Sequence, residues 1–579
     1  MTEMESFILF LLFKKIRITL LMLQNWFTEN IFSISWNEIF RWFVYDPKHP
    51  LLFSSVSFLV SFLIFYLVYI CTKKHAHFRT AYVVLFSLFF YYKAGGNYFV
   101  LLLISAVSGY FLAEGIHKSE NKNVRKLYLT ISMVAHLALI GYFKYTNFLI
   151  DSFNNLFNGS LAFQDIVLPI GISFYVFQTM SYTIDVYRKE IEPAKNVLDF
   201  TFYVSFFPQL VAGPIVRAKD FIPQIYKKIT LTKKETSLAL FLIIGGLLKK
   251  AVVSDYISLN FVDRVFDAPN SYTSFENLMA VYGYSLQIYC DFSGYSDMAI
   301  GLALLMGFTL PANFRTPYQS KSITEFWRRW HISLSSWLKD YLYISIGGNR
   351  KGTFWGYFFP IVFFVGILIW SFLYIDKSVI PFVVCSGAFV VFILSFVLSK
   401  NPQKTRVTNM NLMTTMLLGG LWHGASLRFI IWGALHGMAL AIHKFFMEFF
   451  SDKNPQKRTF GKRFFNVLAI LLTFHFVAFC WIFFRAKDFT LANDIINNIG
   501  NLTFDFNQWQ AIVSGYQNVF ILFVIGFVWH FFPQRLTDKL CLLFEKTPVV
   551  IKALIIAFVF WVVFATASSG PQPFIYFQF

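Results

Sequence analysis

Histidines set in or beside apolar sequence are the residues of this chain best placed for chemistry. His423 lies in Gly419-Gly420-Leu421-Trp422-His423-Gly424-Ala425, between Met416-Leu417-Leu418 and Phe429-Ile430-Ile431-Trp432. A neutral imidazole titrates near physiological pH, so it is well suited to take a proton from a hydroxyl or a thiol. The glycines let the backbone bend, or pack closely, where a side chain would obstruct. Spacing alone leaves two readings open: a general base, or a buried histidine hydrogen-bonded to a neighbouring helix. His436 and His443, about two helical turns apart, fit a structural role better, although His436 is close enough in sequence to flank the same cavity. His331 falls in a stretch with helical periodicity, on the border between its apolar stripe and its charged face, which directs it toward a buried cavity's rim.

Other chemistries find less support. No His-x-x-x-His or His-Glu-x-x-His spacing occurs near His423 and no carboxylate stands within a turn of it, so no metal site is expected. The pattern Gly-x-Ser-x-Gly of a nucleophile elbow is absent. The five cysteines are scattered without a Cys-x-x-Cys pair and form neither a disulfide framework nor a zinc set. Asp291 and Asp297 in an apolar run could serve an ion or proton relay, the mark of a transporter. Against that class, no internal repeat is visible. Asp185, Arg188, Arg315, Arg328 and Arg329 read as interfacial anchors or as contacts to the phosphates of a nucleotide-bearing donor.

The elements that must position these residues are membrane helices. The 579 residues are 56% hydrophobic and only 14% charged, where soluble domains average about 25% charged. The net charge of +19 reads as basic cytoplasmic loops, since Lys and Arg lie in short segments between apolar spans and not on one nucleic-acid-binding face. No cleavable signal sequence is expected, because Phe7–Phe13 runs into Lys14, Lys15 and Arg17 without a small-residue cleavage site. Residues 1–49, rich in Trp and charge, fit interfacial helices. Leu51–Thr72 is the first crossing, followed by Thr80–Gly96, Tyr98–Ile116, Leu127–Leu149 and Ile166–Tyr187. Phe200–Val216, broken at Pro208 and Pro214 between basic flanks, predicts a re-entrant hairpin. Leu238–Val253 is interrupted by Lys249 and Lys250, and Asn277–Phe308 is long enough to cross with a break at 290–297. Ile323–Ile344 predicts one amphipathic helix on the inner face. Later spans bring the total to roughly 12 crossings with both chain ends outside.

Beyond composition, ordered blocks of sequence are recognisable. Thr324-Glu325-Phe326-Trp327-Arg328-Arg329-Trp330-His331-Ile332-Ser333-Leu334, Gly347-Gly348-Asn349-Arg350 and Gly419–Ala425 closely resemble the membrane-bound O-acyltransferase family, in particular its bacterial polysaccharide O-acetyltransferase subgroup. Gly171-Ile172-Ser173-Phe174, Phe207–Ile215, Tyr289–Asp297 and Trp481–Ala486 extend the likeness. The resemblance implies an all-α, polytopic membrane bundle with re-entrant segments and a central tunnel. It divides the chain into interfacial helices (1–49), a core (50–485, with inserted spans at about 353–400) and a C-terminal extracytoplasmic loop with two membrane helices (486–579). His423 matches the family's membrane-embedded catalytic histidine, and His331 its second active-site residue, at the cytoplasmic mouth. Trp327, Arg328, Arg329, Asn349, Asp291, Trp422 and His436 are the accompanying candidates for holding donor or substrate. The implied donor is acetyl-CoA, as a substrate and not a cofactor, or an acyl carrier protein. The implied partner is an extracytoplasmic SGNH-type acetyltransferase serving a polysaccharide acceptor, at a bacterial inner membrane. The long N-terminal region and the two spans between Lys351 and Lys400 depart from the subgroup pattern, without removing a motif residue.

Overall fold

The computed structural model describes residues 42–48, 50–72, 75–211, 213–373, 380–450, 460–566, 572 and 574–575. The expected interfacial helices of 1–49 lie almost wholly outside them. Among the described residues the chain is helical with no strand. That follows from the composition, since a helix closes its own backbone hydrogen bonds and can enter lipid without leaving them unpaired. Among the described residues seven helical stretches are long and apolar enough to cross a membrane, or eight if the pair Phe506–Gly515 and Gln517–Phe531, bent by 91°, is one span.

The roughly 12 crossings expected by length and charge criteria exceed this number because several apolar segments are internal helices. Ile172–Tyr187 begins only after a non-helical run over 158–171, and nearly all of its side chains are buried. Ser274–Leu305 and Pro402–His423 carry enough polar residues to be core helices surrounded by protein. Phe200–Val216 is broken as its prolines require: a helix ends at Ser205, Phe207–Leu210 forms one turn, and the next helix starts at Ala218.

Two expectations are corrected. Ser274–Leu305 is one unbroken 32-residue helix, with no interruption at 290–297. Its aspartates need no unwinding because lysines of the neighbouring segment neutralise them: Lys249 Nζ lies 2.7 Å from Asp297 and Lys250 Nζ 2.6 Å from Asp291 and 2.7 Å from Asp255. Backbone contact makes this possible, since a Cβ at Gly294 would come 2.7 Å from the Gly246 carbonyl oxygen. The second correction concerns Ile323–Ile344, which is not a continuous surface helix. It divides into Ile323–Arg329, a turn at Trp330 and His331, Ile332–Trp337, and a π-helical segment Leu338–Tyr343. The turn drives both Trp330 and His331 into the interior.

Pro402–His423 and Leu427–Phe450 form a tight antiparallel hairpin. A Cβ at Gly420 would run into the carbonyl of Phe429, and one at Gly433 into that of Met416, so these glycines serve close packing. The inserted helices Phe354–Leu373 and Ile380–Val397 lean on this hairpin through a separate apolar cluster that includes Phe364, Phe392, Met413 and Leu417.

Candidate active site

His423 is the last residue of its helix, where the final carbonyls have no intrahelical partner. Lys144 and Tyr145 supply partners from across the bundle. Tyr145 Oη donates to Leu421 O at 2.7 Å, and Lys144 Nζ donates to His423 O at 3.0 Å and to Trp422 O. Both come from a π-helical turn, Gly141–Tyr145, that interrupts a helix running from Lys122 to Phe157. Such turns re-aim side chains and are common at functional sites, and an ammonium is favourable at a helix C-terminus. The His423 ring is buried among Trp422, Trp432 and Phe484, with centroids 4.9, 5.0 and 5.2 Å away.

His331 is fully buried and holds a left-handed backbone, φ 42°, rare for a residue with a Cβ. Asn313 fastens this turn. Its backbone oxygen accepts from Ile332 N–H at 2.9 Å, and its side-chain Oδ1 accepts from Ser333 N–H at 3.2 Å and Ser333 Oγ at 2.9 Å. A backbone N–H can only donate, so the Asn313 atom it meets is the oxygen. His331 Nδ1 lies 3.2 Å from that same oxygen and must therefore carry its proton. A neutral imidazole has one N–H, which leaves Nε2, buried and without a hydrogen-bond partner among the described residues, as a lone pair. His331 is thus a core residue, and it is not among those lining the cavity at His423.

Both rings meet Trp422, His331 from 6.2 Å and His423 from 4.9 Å. His436, fully buried, continues the cluster: Trp432 is 4.7 Å and Trp327 5.2 Å away, and neither of its nitrogens has a hydrogen-bond partner among the described residues. The structure therefore gathers His423, His331, Trp422, His436 and Trp327 into one aromatic site. Four other candidates lie apart from this cluster. Arg329 pairs with Glu325 at 2.7 Å, Arg328 is exposed, Asn349 accepts from Tyr343 Oη at 2.6 Å on an exposed turn, and Asp291 is committed to Lys250 and to the backbone N–H of Ile575 at 2.8 Å.

A cavity of about 70 Å³ reaches His423, lined by Lys144, Trp422, Val211 and residues 168–174. That exceeds the space of about 10–15 Å³ one water needs. Sequence reasoning missed Lys144, Tyr145 and Asn313. Lys144 left a signal, a lone cation inside the apolar run Leu127–Leu149, and ionisable residues at such depth are functional by default. Asn313 left none, because its role is visible only once the loop meets the turn at His331.

The fold is thus an all-helical membrane bundle that buries His423 and His331 against a shared Trp422, with a cavity at His423. The chain matches the MBOAT, membrane-bound O-acyltransferase family, over residues 8–365, and it belongs to that family. It is a multi-pass membrane-bound O-acyltransferase. A probable alginate O-acetylase of Pseudomonas putida is 36% identical over 479 residues, covering 78% of this chain and 84% of the relative. A peptidoglycan O-acetyltransferase of Helicobacter pylori is 33% identical over 482 residues, covering 78% and 80%. A teichoic acid D-alanyltransferase of Bacillus subtilis is 29% identical over 335 residues, covering 56% and 71%.

Proposed function

We propose that this protein moves an acetyl group from cytoplasmic acetyl-CoA across a bacterial inner membrane for O-acetylation of an extracytoplasmic polysaccharide, with His423 as the general base. The reading rests on one observation above all: His423 borders a cavity and shares Trp422 with His331 in a chain whose relatives are named for O-acetylation of alginate and peptidoglycan. In the transfer, the accepting hydroxyl oxygen bonds to the acetyl carbon while the carbon–sulfur bond breaks. His423 takes the hydroxyl hydrogen and returns it to the released thiolate. An extracytoplasmic SGNH-type transferase would carry the acetyl onward to the sugar. Of the two roles open to a second site residue, positioning or polarising the thioester, His331 takes the first, with its Nδ1 proton held by Asn313.

The test is acetyl transfer by the purified protein in nanodiscs from labelled acetyl-CoA. His423→Ala abolishes it in a folded protein, and full activity in that variant sinks the assignment. The D-alanyltransferase relative favours a second reading, in which a carrier protein feeds the same site. Donor competition separates the two, since free acetyl-CoA then neither serves as donor nor competes. A transporter without acyl chemistry has lost its main support, because both aspartates that suggested it are ion-paired with lysines.

A further inference from the structure

We propose that Lys144 supplies the positive charge that stabilises the oxyanion formed when the thioester is attacked. The inference rests on the acyl-transfer reading above and deepens it by naming a second catalytic residue. Attack at a thioester carbonyl makes one bond from the acceptor oxygen to carbon and pushes the carbonyl electron pair onto oxygen. In a water-poor site that charge needs a preorganised donor, and such donors supply one of the largest catalytic contributions known. The two histidines are poor candidates. His331 does not line the cavity and its proton is held on Nδ1 by Asn313, and His423 must begin as an acceptor to serve as base.

Among the described residues lining the cavity, Lys144 is the one lysine or arginine; the other side chains with polar atoms are Ser173, Trp422 and His423 itself. Its ammonium has three N–H groups. Two are spent on Trp422 O and His423 O, which leaves one for a ligand. Those two bonds also tie the ammonium to the backbone of the proposed base, so charge and base are held in one register. The competing account is that Lys144 only caps a helix end. Tyr145 makes a comparable bond to the neighbouring carbonyl, Leu421 O, from a side chain that does not line the cavity, and so serves as the comparison.

The experiment measures kcat and KM for acetyl-CoA in nanodiscs for wild type, K144M, K144R, Y145F and H423A, each with its melting temperature. Expected for K144M is a fall in kcat of ~10²–10³-fold with KM nearly unchanged, at least ~10-fold beyond the loss in Y145F, and partial recovery in K144R. Equal losses in K144M and Y145F, or a K144M kcat above about a tenth of wild type, overturn the proposal. Should K144M fail to fold, K144A is assayed with and without ethylammonium: a rate gain of ~10-fold or more supports a chemical role, and no gain overturns it. An H423A variant that still transfers acetyl overturns the underlying reading, whereas an active wild type, an inactive H423A and a near-normal K144M overturn this inference alone.

Discussion

Asn313 shows how a residue without reactivity can decide what a reactive one does. By accepting from Ser333 N–H, its side-chain oxygen fixes the proton of His331 on Nδ1. Replacing Asn313 with Ala frees both tautomers. The measurement is the ¹⁵N spectrum of histidine-labelled protein in nanodiscs, with His331 assigned by difference against His331→Gln. Wild type should show a non-protonated Nε2 and a protonated Nδ1, and Asn313→Ala a mixture, with activity reduced ~10–100-fold as for loss of an orienting partner of a functional histidine. A protonated Nε2 in wild type defeats the assignment. Glu325 gives a milder case outside the membrane spans. Partial burial raises its pKa, but the Lys321 N–H and Arg329 outweigh this and hold the carboxylate below its ordinary value. Its stabilisation is therefore present above the ordinary glutamate pKa and lost as pH falls through the lowered folded value. For a half-exposed pair this is about 0.3–0.5 kcal/mol, and Glu325→Gln should erase that part of the pH dependence of the melting temperature.

At the scale of elements, the site depends on how closely helices approach. Gly420 and Gly433 lie where the two arms of the His423 hairpin touch backbone to backbone. An alanine at Gly420 meets the Phe429 carbonyl, which cannot rotate aside as a side-chain end could, so the arms must separate. The expected cost is about 1–3 kcal/mol, typical of overpacking, with a greater loss of activity than of stability because His423 closes the same arm. Thermal unfolding and acetyl transfer measured on Gly420→Ala decide this, and unchanged activity would show that the hairpin tolerates the separation. The π turn at Gly141–Tyr145 works in the opposite sense, as a local irregularity that brings Lys144 and Tyr145 to a helix end on another element.

Across the whole molecule, the buried charges divide into those that hold the bundle and those that serve the site. Lys250 lies between Asp255 and Asp291, and removing one member of a buried ion set costs about 3–5 kcal/mol. Lys250→Met should therefore lower the yield and melting temperature strongly, whereas Lys250→Met combined with Asp255→Asn and Asp291→Asn should recover part of that stability, read by fluorescence-detected size exclusion after heating. Much of this architecture was legible in the sequence. Long apolar runs dictated membrane helices because lipid offers no hydrogen-bond partners, and prolines at 208 and 214 dictated the broken stretch. The resemblance named His423, His331, Trp422, His436 and Trp327 together, and packing brings these five side chains into one cluster. What sequence could not decide were relations between distant segments. Lysines 249 and 250 neutralise aspartates of another helix, which kept Ser274–Leu305 continuous. Asn313 turned an apparent amphipathic helix inward at His331, and Lys144 reached the end of a helix 279 positions away in the chain. Periodicity and composition record what each segment needs from its surroundings; only the tertiary structure decides which distant segment supplies it, because a buried polar group can be satisfied by any partner that packing brings within reach.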